Sequence, residues 1–489
     1  MASDREDNPT ETVTSKRPFG VDNVSRFRQP RSLELTLAPY QVASARAYTQ
    51  MLADSDQIEG DVADLVLRSI TALEEKLRAG ESFLEEDDLD IYSGLERKLD
   101  EMVGSSSNIL RMGLSPNDHI ACDIRLWLRD ECLASMHLLL DLRRVLLELA
   151  GNHIEVVMPG YSHMQPATPE LLSHWWLASA SRFCRDFSRL KDVLKRINLC
   201  PMGAGAFAGS HQPIDRMKLA ELLRFDGVIE NSLDAVSDRD SVIELTACAS
   251  IISIHISQLA SELLVWATQE FGYVRLPRAF TYRSRNFPQK RNPEPLEVLR
   301  SRCSQINGRL SQFNQELKGI PVSYSHDLQE SLPGLLEVLS NLRFILELCA
   351  VVLPAMIIDT AKMEERASVD LANAGNVMDY LLERSFEPEK AAKIVEGLLK
   401  YCQQRSKHFI DLTRGEWQEF SPAFDDEIYR YITASTATET KGTLGGTAHV
   451  QVEAALKRYV VEWREDETWM QQASDKILNN PLDDKHSGH

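Results

Sequence analysis

One stretch of the chain combines a hydroxyl, a cation and an amide in a segment without hydrophobic periodicity. Ser284, Lys290 and Asn292 lie within R-S-R-N-F-P-Q-K-R-N-P, where Arg, Asn and Pro crowd together. Asn292 followed by Pro293 matches an N-cap and a first-position proline, which predicts the start of a helix. A cation and an amide at the positive end of a helix dipole favour an anion. The alternative is that Asn292 only caps the helix and Lys290 is a solvated surface charge.

Two further loops place polar side chains ahead of predicted long helices. Ser115 and Asn117 lie directly before one helix, and Ser162 and His163 lie before another, for which Thr168 and the following proline match an N-cap. Together with the first segment, these groups offer a proton acceptor, a proton donor and an anion cradle. The set suits removal of a proton next to a carboxylate, followed by loss of a leaving group, because cations and N–H groups would stabilise the doubly charged intermediate.

A histidine and a glutamate are candidates for handling the proton. His163 could relay a proton near neutral pH. Glu297, one helical turn beyond Pro293, could orient an imidazole from elsewhere in the fold. The alternatives are a structural histidine and a solvated helix carboxylate, which are the more frequent roles of such residues.

The elements that must position these loops are helices, since we find no convincing strand pattern. Behind Pro293, apolar residues recur at alternating spacings of four and three along one face: Leu299, Cys303, Ile306, Leu310, Phe313 and Leu317. Similar patterns predict further long helices over 118–149, 169–197, 233–271 and 327–353, of which 233–271 is the longest helical stretch. The prediction is an all-α fold with a long central five-helix bundle. Long helices that are apolar on more than one face usually bury the extra face against another subunit, which predicts an obligate homo-oligomer.

The sequence also predicts a division into domains. We expect a disordered tail over 1–20, an N-terminal helical domain over 21–117, a central long-helix bundle domain over 118–356, a C-terminal helical domain over 357–473 and a polar tail over 474–489.

Composition limits the partners that this chain could bind. The net charge of −19 argues against nucleic acid and anionic membranes, so a small anionic substrate would need a local basic pocket. No uninterrupted apolar run approaches membrane-spanning length, and the first residues lack an apolar signal segment.

Eight scattered cysteines without metal-ligand spacing predict buried free thiols, no metal site and a cytoplasmic location. The glycine-rich G-A-G-A-F-A-G over 203–209 follows no strand, so it predicts a tight turn rather than a dinucleotide site.

These same segments resemble the argininosuccinate lyase branch of the fumarase and aspartase superfamily. Matching blocks are spread over most of the chain: D-I-Y-S-G-L-E-R (90–97), S-P-N-D (115–118), M-P-G-Y-S-H-M-Q (158–165), K-R-I-N-L-C-P-M-G-A-G-A-F-A-G (195–209), F-P-Q-K-R-N-P (287–293), K-G-I-P-V-S-Y-S-H-D-L-Q-E (318–330) and G-G-T (445–447). The resemblance implies a fumarase/aspartase-like homotetramer with a twenty-helix core. Each active site would combine loops from three subunits, bind a small anionic substrate such as a succinyl-amine or fumarate, and use no cofactor.

The resemblance also implies roles for individual residues. Ser284 would act as general base on the succinyl carbon, Lys290 and Asn292 match the lysine and asparagine of the family signature, and His163 and Glu297 match the family's histidine and its carboxylate partner. The positions that match substrate-binding residues are Ser115, Asn117, Ser162, Tyr324 and Gln329. The implied reaction is β-elimination of an N-succinyl compound to fumarate and an amine or guanidine, or the reverse addition.

The departures from the family pattern concern the substrate clamp. The first loop, which in the family reads like G-R-S-R-N-D, carries Leu114 and Pro116 in place of its two arginines. Neither residue can hold a carboxylate as a guanidinium does. Arg111 occupies the place of an expected histidine, and Arg283 and Arg285 replace the glycine and second serine that flank the loop serine.

We therefore expect Arg285 or Arg111 to supply the lost guanidinium to a different succinylated amine. Ordinary argininosuccinate cleavage in arginine biosynthesis, with drift in the loops, is the first alternative. The second alternative is a non-catalytic scaffold member of the family.

Overall fold

The computed structural model describes residues 29–478 and confirms the mostly helical prediction. The tail predicted over 1–20 lies outside the described residues. The helices are α1 (Arg31–Asp54), α2 (Gly60–Arg78), α3 (Ile91–Val103), α4 (Pro116–Asn152), α5 (Leu172–Ile197), α6 (Arg216–Leu222), α7 (Ser232–Ser237), α8 (Asp240–Trp266), α9 (Glu294–Leu317), α10 (Asp327–Glu330), α11 (Leu332–Ala355), α12 (Thr360–Ala367), α13 (Asp370–Glu383), α14 (Pro388–Arg405), α15 (Arg414–Phe420), α16 (Ile428–Ile432), α17 (Ala434–Glu439) and α18 (His449–Leu478). The strands are β1 (Val157–Ser162), β2 (Gln165–Leu171), β3 (Val274–Arg275), β4 (Tyr282–Arg283), β5 (Arg291–Asn292) and β6 (Ile357–Ile358).

The described chain falls into two compact units. Among the described residues, the first unit comprises 29–127, 200–237 and 322–333, and the second comprises 128–199, 238–321 and 334–478. The division into N-terminal, central and C-terminal domains stays a prediction. Helix α18 continues as far as Leu478, so the start of the polar tail predicted from residue 474 is helical, and 479–489 lie outside the described residues.

The core of the first unit is formed by helices α1, α2 and α3. Tyr48 and Met51 of α1 and Ile70 of α2 are fully buried at the centre of one hydrophobic cluster. Helix α3 begins at a capping box, in which the Asp90 side chain accepts the Ser93 N–H while the Ser93 hydroxyl bonds the Asp90 backbone. These contacts fix the helices that precede the first of the three loops.

The core of the second unit is formed around α8, which packs against α5 and α9. Helix α8 is long and apolar enough to cross a bilayer by length and composition alone, but just over half of that apolar window, 56%, is buried inside the structure. Burial against neighbouring helices accounts for the inward-facing part of this apolar surface. Helix α18 joins α4 through the Trp463 indole N–H, which donates to the Leu140 carbonyl at 3.0 Å.

Three two-stranded antiparallel sheets correct the prediction that the chain has no strands. The longest pairs β1 with β2, and Thr168 lies opposite Gly160 within it. The prediction that Thr168 caps a helix was therefore wrong, because α5 begins at Leu172. The hairpin escaped prediction because its turn uses His163 and Met164 at positive φ rather than the Asn-Gly pair that usually marks such turns.

Two of the predicted long helices are interrupted. The segment 233–271 contains α7 and α8, separated at Asp238, whose carboxylate accepts the Asp240 N–H at 2.9 Å. The segment 327–353 contains α10 and α11, separated at Ser331. Short polar side chains that bond nearby N–H groups compete with helix continuation, which explains the first break. The longest helix among the described residues is α4, with 37 residues, rather than the segment predicted at 233–271.

All eight cysteines are free thiols, as predicted. Seven of them are buried, and Cys184 is half-buried. Burial raises the pKa of the Cys248 thiol to about 11, so that thiol stays protonated at neutral pH. Seven cysteines thus lie inside the described chain, whereas the Cys184 thiol donates to Glu462 Oε1 at 2.7 Å.

Candidate functional site

The candidate serine and lysine lie directly opposite each other at the end of the β4–β5 hairpin. Tyr282 pairs with Asn292, and beyond the strands the Ser284 N–H donates to the Lys290 carbonyl at 3.2 Å. Successive side chains of a strand point to opposite faces, so Ser284, Lys290 and Asn292 share one face of the hairpin. The hairpin backbone therefore brings together the hydroxyl, the cation and the amide that the sequence singled out.

The Ser284 hydroxyl has a backbone donor of its own. The Phe287 N–H donates to Ser284 Oγ at 3.2 Å, and the Lys290 N–H donates to the Phe287 carbonyl at 2.9 Å. A donor aimed at a hydroxyl oxygen favours the charged form of that oxygen, which helps a serine to act as a base. The Phe287 N–H was not predicted from the sequence, because nearly every residue has a backbone N–H and the residue type does not show where that group points.

The prediction that Asn292 caps helix α9 was wrong. Asn292 belongs to β5, the cap position is Pro293, and no side chain caps the helix. A residue before proline is driven to extended backbone, which suits a strand better than a helix start. Within residues 29–478 the half-buried Asn292 side chain makes no hydrogen bond, so its amide is free to bind a ligand.

Glu297 lies in the first turn of α9, as the sequence predicted. Its exposed carboxylate lines a groove of about 890 Å³ between α8 and α9, together with Arg300 and several serines. The groove is open, so Glu297 is accessible to a group from outside its own helix pair.

His163 and Ser162 occupy the tip of the β1–β2 hairpin, where both are exposed. His163 has φ 54° and Met164 has φ 61°, a left-handed conformation that costs side-chain-bearing residues about 1 kcal/mol or more each. The strand pairing is irregular between Gly160 and Tyr161 of β1, and the Tyr161 and Tyr273 hydroxyls lie 2.8 Å apart in a hydrogen bond. Among the described residues, no hydrogen bond joins this tip to the 284–290 loop.

The first loop is held by its own polar groups in the first unit. The Ser115 N–H donates to Asp118 Oδ1 at 2.9 Å, and the Asn117 N–H donates to Ser115 Oγ at 3.3 Å. The Asn117 amide nitrogen donates to the Ala206 carbonyl at 3.2 Å, which ties the loop to the glycine-rich segment. Ser115 and Asn117 are thereby presented by a fixed backbone.

Asp118 is the residue that sequence reasoning missed in this loop. Its second oxygen accepts the N–H groups of Gly203, at 3.2 Å, and Gly205, at 3.0 Å. Both glycines have positive φ, which confirms the tight turn predicted there. Burial raises the pKa of the Asp118 carboxyl to about 7, although its backbone hydrogen bonds favour the ionised form. The only sequence signal was its place after the serine and asparagine.

The two arginines that could replace the lost clamp differ in their surroundings. The exposed Arg111 guanidinium makes a two-pronged ion pair with Glu96, with distances of 3.0 Å and 2.8 Å. Arg285 is exposed on the 284–290 loop and makes no ion pair within residues 29–478. Leu114 packs against the core of the first unit, so this position adds no cation to the first loop.

Tyr324 and Gln329 lie together in the first unit. The Gln329 side-chain amide donates to the Tyr324 hydroxyl, and the Gln329 carbonyl accepts the Gln29 side-chain amide at 3.4 Å. Tyr324 and Gln329 therefore lie next to each other, just before α11.

Comparison with known proteins places the chain among lyases. A family model described as Lyase matches residues 24–308. An argininosuccinate lyase from Synechococcus sp. (strain JA-3-3Ab) is 36% identical over 445 residues, which cover 91% of this chain and 91% of that protein. An argininosuccinate lyase from Thermosynechococcus vestitus is 35% identical over 434 residues, which cover 88% of this chain and 94% of that protein.

Solved structures agree on the fold. A crystal structure of EDDS lyase in complex with formate has a TM-score of 0.85 and 23% sequence identity, covering 94% of this chain and 93% of that one. Fumarate lyase from Mesorhizobium sp. BNC1 has a TM-score of 0.71 and 18% identity, covering 89% of this chain and 97% of that one. Because the sequence match to the curated relatives runs through nearly the whole length of both proteins, the chain belongs to the lyase family, in its argininosuccinate lyase branch.

Proposed function

We propose that this carbon–nitrogen lyase cleaves an N-succinyl compound whose amine half differs from that of argininosuccinate. Its family membership supports a fumarate-releasing lyase. The proposal of a different substrate rests on the residues of the first loop. Leu114 and Pro116 replace two arginines there, and the nearby Arg111 is already paired with Glu96. A substrate anchored by that loop would therefore lack the carboxylate that two arginines would hold.

The proposed reaction begins with removal of a proton from the succinyl carbon by Ser284 Oγ. The Phe287 N–H supports the serine oxygen, while Lys290 and Asn292 on the same hairpin face stabilise the negative charge that develops on the neighbouring carboxylate. The electron pair then expels the amine nitrogen from the adjacent carbon, and fumarate results. In the reverse direction the amine adds to fumarate.

The proposed active site is completed by side chains from other loops in a homotetramer. His163, oriented by Glu297, returns a proton to the leaving nitrogen, and its exposed position at a hairpin tip suits reach into a shared site. The substrate-binding set in this proposal is Ser115, Asn117, Ser162, Tyr324 and Gln329. No cofactor takes part in these steps, and we propose a cytoplasmic location.

Arg285 is the better candidate for the replacement clamp. Moving Arg111 to a substrate would break a charge-assisted pair with Glu96, whereas Arg285 has no ion pair to lose within residues 29–478. Arg285 also lies next to Ser284, so a carboxylate bound by its guanidinium would lie near the proton to be removed.

Ordinary argininosuccinate cleavage is the second candidate function. The identities of about 35% to argininosuccinate lyases over nearly the whole chain favour it. The scaffold alternative is disfavoured by membership in a family of carbon–nitrogen lyases.

One assay separates the two candidates. The purified protein is incubated with argininosuccinate, and separately with fumarate plus a panel of amines, while the ultraviolet absorbance of fumarate is followed. The proposal expects slow or no turnover of argininosuccinate and consumption of fumarate with at least one amine. Turnover of argininosuccinate at ordinary enzyme rates, on the order of 10 per second, would favour the second candidate.

Arg285→Gln and Arg275→Gln supply the matched test of the clamp in the same assay. Arg275 is an exposed arginine of β3 outside the loop, so its replacement removes the same charge. The proposal expects KM for the accepted substrate to rise in the Arg285 variant and to stay unchanged in the Arg275 variant. Equal behaviour of the two variants would contradict the assignment of Arg285.

A further inference from the structure

Two arginines face each other across the β4–β5 hairpin. Arg283 and Arg291 are register partners in this antiparallel pair. The bond from the Ser284 N–H to the Lys290 carbonyl makes that neighbouring pair a hydrogen-bonded one. Since the two kinds of pair alternate, Arg283 and Arg291 form a non-hydrogen-bonded pair, in which the Cα atoms are about 4.5 Å apart and the side chains come closest.

This arginine pair has no ion-pair partner among the described residues. Arg283 and Arg291 are both exposed, and neither makes an ion pair or a side-chain hydrogen bond within residues 29–478. Many arginines elsewhere are paired with carboxylates, as Arg97 is with Asp88 at 2.8 Å, and the chain as a whole carries 73 acidic residues against 54 basic ones. Like charges placed directly opposite each other destabilise a strand pair. Two adjacent arginines without ion-pair partners, on a protein with so many carboxylates, therefore favour binding of an anion from outside the chain.

We propose that Arg283 and Arg291 together bind a dianion, a phosphate group or a dicarboxylate, on the hairpin face opposite Ser284, Lys290 and Asn292. Two planar guanidinium groups at this spacing offer forked donors that match phosphate and carboxylate oxygens. The same alternation that gathers Ser284, Lys290 and Asn292 on one face turns both arginines to the other.

The bound dianion acts on the hairpin as well as filling the site. Without it, repulsion between the two guanidinium groups opposes the pairing of β4 with β5. With it, the repulsion becomes a shared attraction, and the bond between Ser284 N–H and the Lys290 carbonyl is protected. Ligands that bind the ordered form in preference to the open form shift the population toward it. The site therefore controls how often the 284–290 loop holds its closed shape, which goes beyond the reaction proposed above.

Titration with inorganic phosphate tests the site on the full chain in its native assembly. Binding is followed by calorimetry, and amide hydrogen exchange is followed across 282–292, with sodium chloride at matched ionic strength as the reference. We expect phosphate, and not chloride, to slow exchange of the Ser284 amide. Arg283→Gln and Arg291→Gln should each weaken phosphate binding by roughly tenfold or more, as expected for loss of a charge-assisted hydrogen bond.

The double variant and a control make the result decisive. Because the two arginines share one ligand, the double variant should lose little more affinity than either single variant. In the absence of phosphate, each single variant should exchange the Ser284 amide more slowly than the wild type, since the repulsion is gone. Arg275→Gln removes the same charge outside the hairpin and should match the wild type in both measurements.

Specific outcomes would overturn the proposal. One is that neither phosphate nor succinate binds or slows exchange of the Ser284 amide in the wild type more than chloride does. The other is that the Arg275, Arg283 and Arg291 variants lose phosphate affinity equally. A parallel titration with succinate distinguishes the sources of the dianion, because a response to phosphate alone assigns the site to a phosphate group and a response to succinate alone assigns it to a dicarboxylate. Neither readout depends on turnover, so failure of the proposed reaction and failure of this site are separate results.

Discussion

At the scale of single residues, the side chains that could take part in a reaction were predictable from the sequence, but their local geometry was not. Ser284, Lys290 and Asn292 were singled out by type and spacing, and the hairpin gathers them on one face. The role given to Asn292 as a helix cap was wrong, because a strand pair competes for its backbone. Asp118 was missed because its importance comes from two glycine N–H groups distant in sequence.

Ser284→Ala is expected to reduce kcat by roughly a hundredfold to ten-thousandfold, the usual contribution of a positioned general base. The loss follows from removal of the oxygen that accepts the Phe287 N–H and that takes the substrate proton in the proposed reaction. Steady-state rates of fumarate release, measured with an accepted substrate, check it. Ser188→Ala, at an exposed serine of α5, is the control and should retain full activity. An active Ser284 variant would remove this residue from the mechanism.

Glu34→Gln is expected to change how stability depends on pH. Burial raises the pKa of the Glu34 carboxyl, the Ile91 N–H that it accepts at 2.6 Å lowers this pKa, and the neighbouring Asp90 raises it, so that together they move the pKa from 4.5 to about 7. A carboxyl with a raised pKa keeps its proton in the folded state, so the wild type loses stability as pH rises from about 4.5 to about 7. The slope is at most roughly 1.4 kcal/mol per pH unit.

Urea unfolding of both proteins over this pH range measures the effect. The glutamine still accepts the Ile91 N–H but has no proton to lose, so the difference in stability between variant and wild type should grow with pH and level off above 7. Glu75→Gln, at an exposed position of α2, should leave the wild-type slope unchanged. A Glu34 variant with that same slope would show that Glu34 titrates normally.

At the scale of elements, helix existence followed from hydrophobic spacing, whereas turns and breaks depended on contacts that spacing does not encode. The stripe along α9 was largely right, since Leu299, Cys303, Ile306 and Phe313 are buried. The β1–β2 hairpin was missed because its turn at His163 and Met164 lacks glycine and asparagine. The far end of that hairpin is fastened by Thr447, whose hydroxyl accepts the Leu171 N–H at 2.8 Å.

Thr447→Val is expected to destabilise the second unit by about 1–3 kcal/mol, since it leaves a buried N–H without its acceptor while conserving side-chain shape. Chemical denaturation measures the change in stability, and amide exchange of Leu171 locates it. Thr443→Val changes an exposed threonine of the same loop and should have an effect within about 0.5 kcal/mol. Two variants of equal stability would show that this bond contributes little to holding the hairpin.

At the scale of the whole molecule, the family fold could be recognised from the spread of matching blocks, while assembly stays a prediction. Helix α11 exposes apolar side chains, with Phe344 at 40% and Val351 at 54% exposure. Residues of this kind along a long helix are what a subunit interface would cover. Sequence alone could indicate surplus apolar faces on the long helices, but not which of their residues stay exposed, because that depends on how the helices pack.

Val351→Asp is expected to break the predicted homotetramer, because a buried and unpaired charge at an interface is strongly unfavourable. Sedimentation velocity should show four-chain particles for the wild type and smaller ones for the variant. Leu444→Asp, at a loop residue that is 86% exposed, is the control and should stay tetrameric. Monomeric wild-type protein, or an intact tetramer in the Val351 variant, would contradict this interface.

The alternation of faces along β4 and β5 has a consequence for how the loop could lose its chemistry. Slippage of one strand against the other by a single residue exchanges the two faces of the slipped strand, so an arginine side chain would come to lie where the hydroxyl or the ammonium group now lies. No atom of the candidate set would be missing after such a slip, yet the arrangement would be gone. The proposed reactivity thus depends on strand alignment as much as on amino-acid identity.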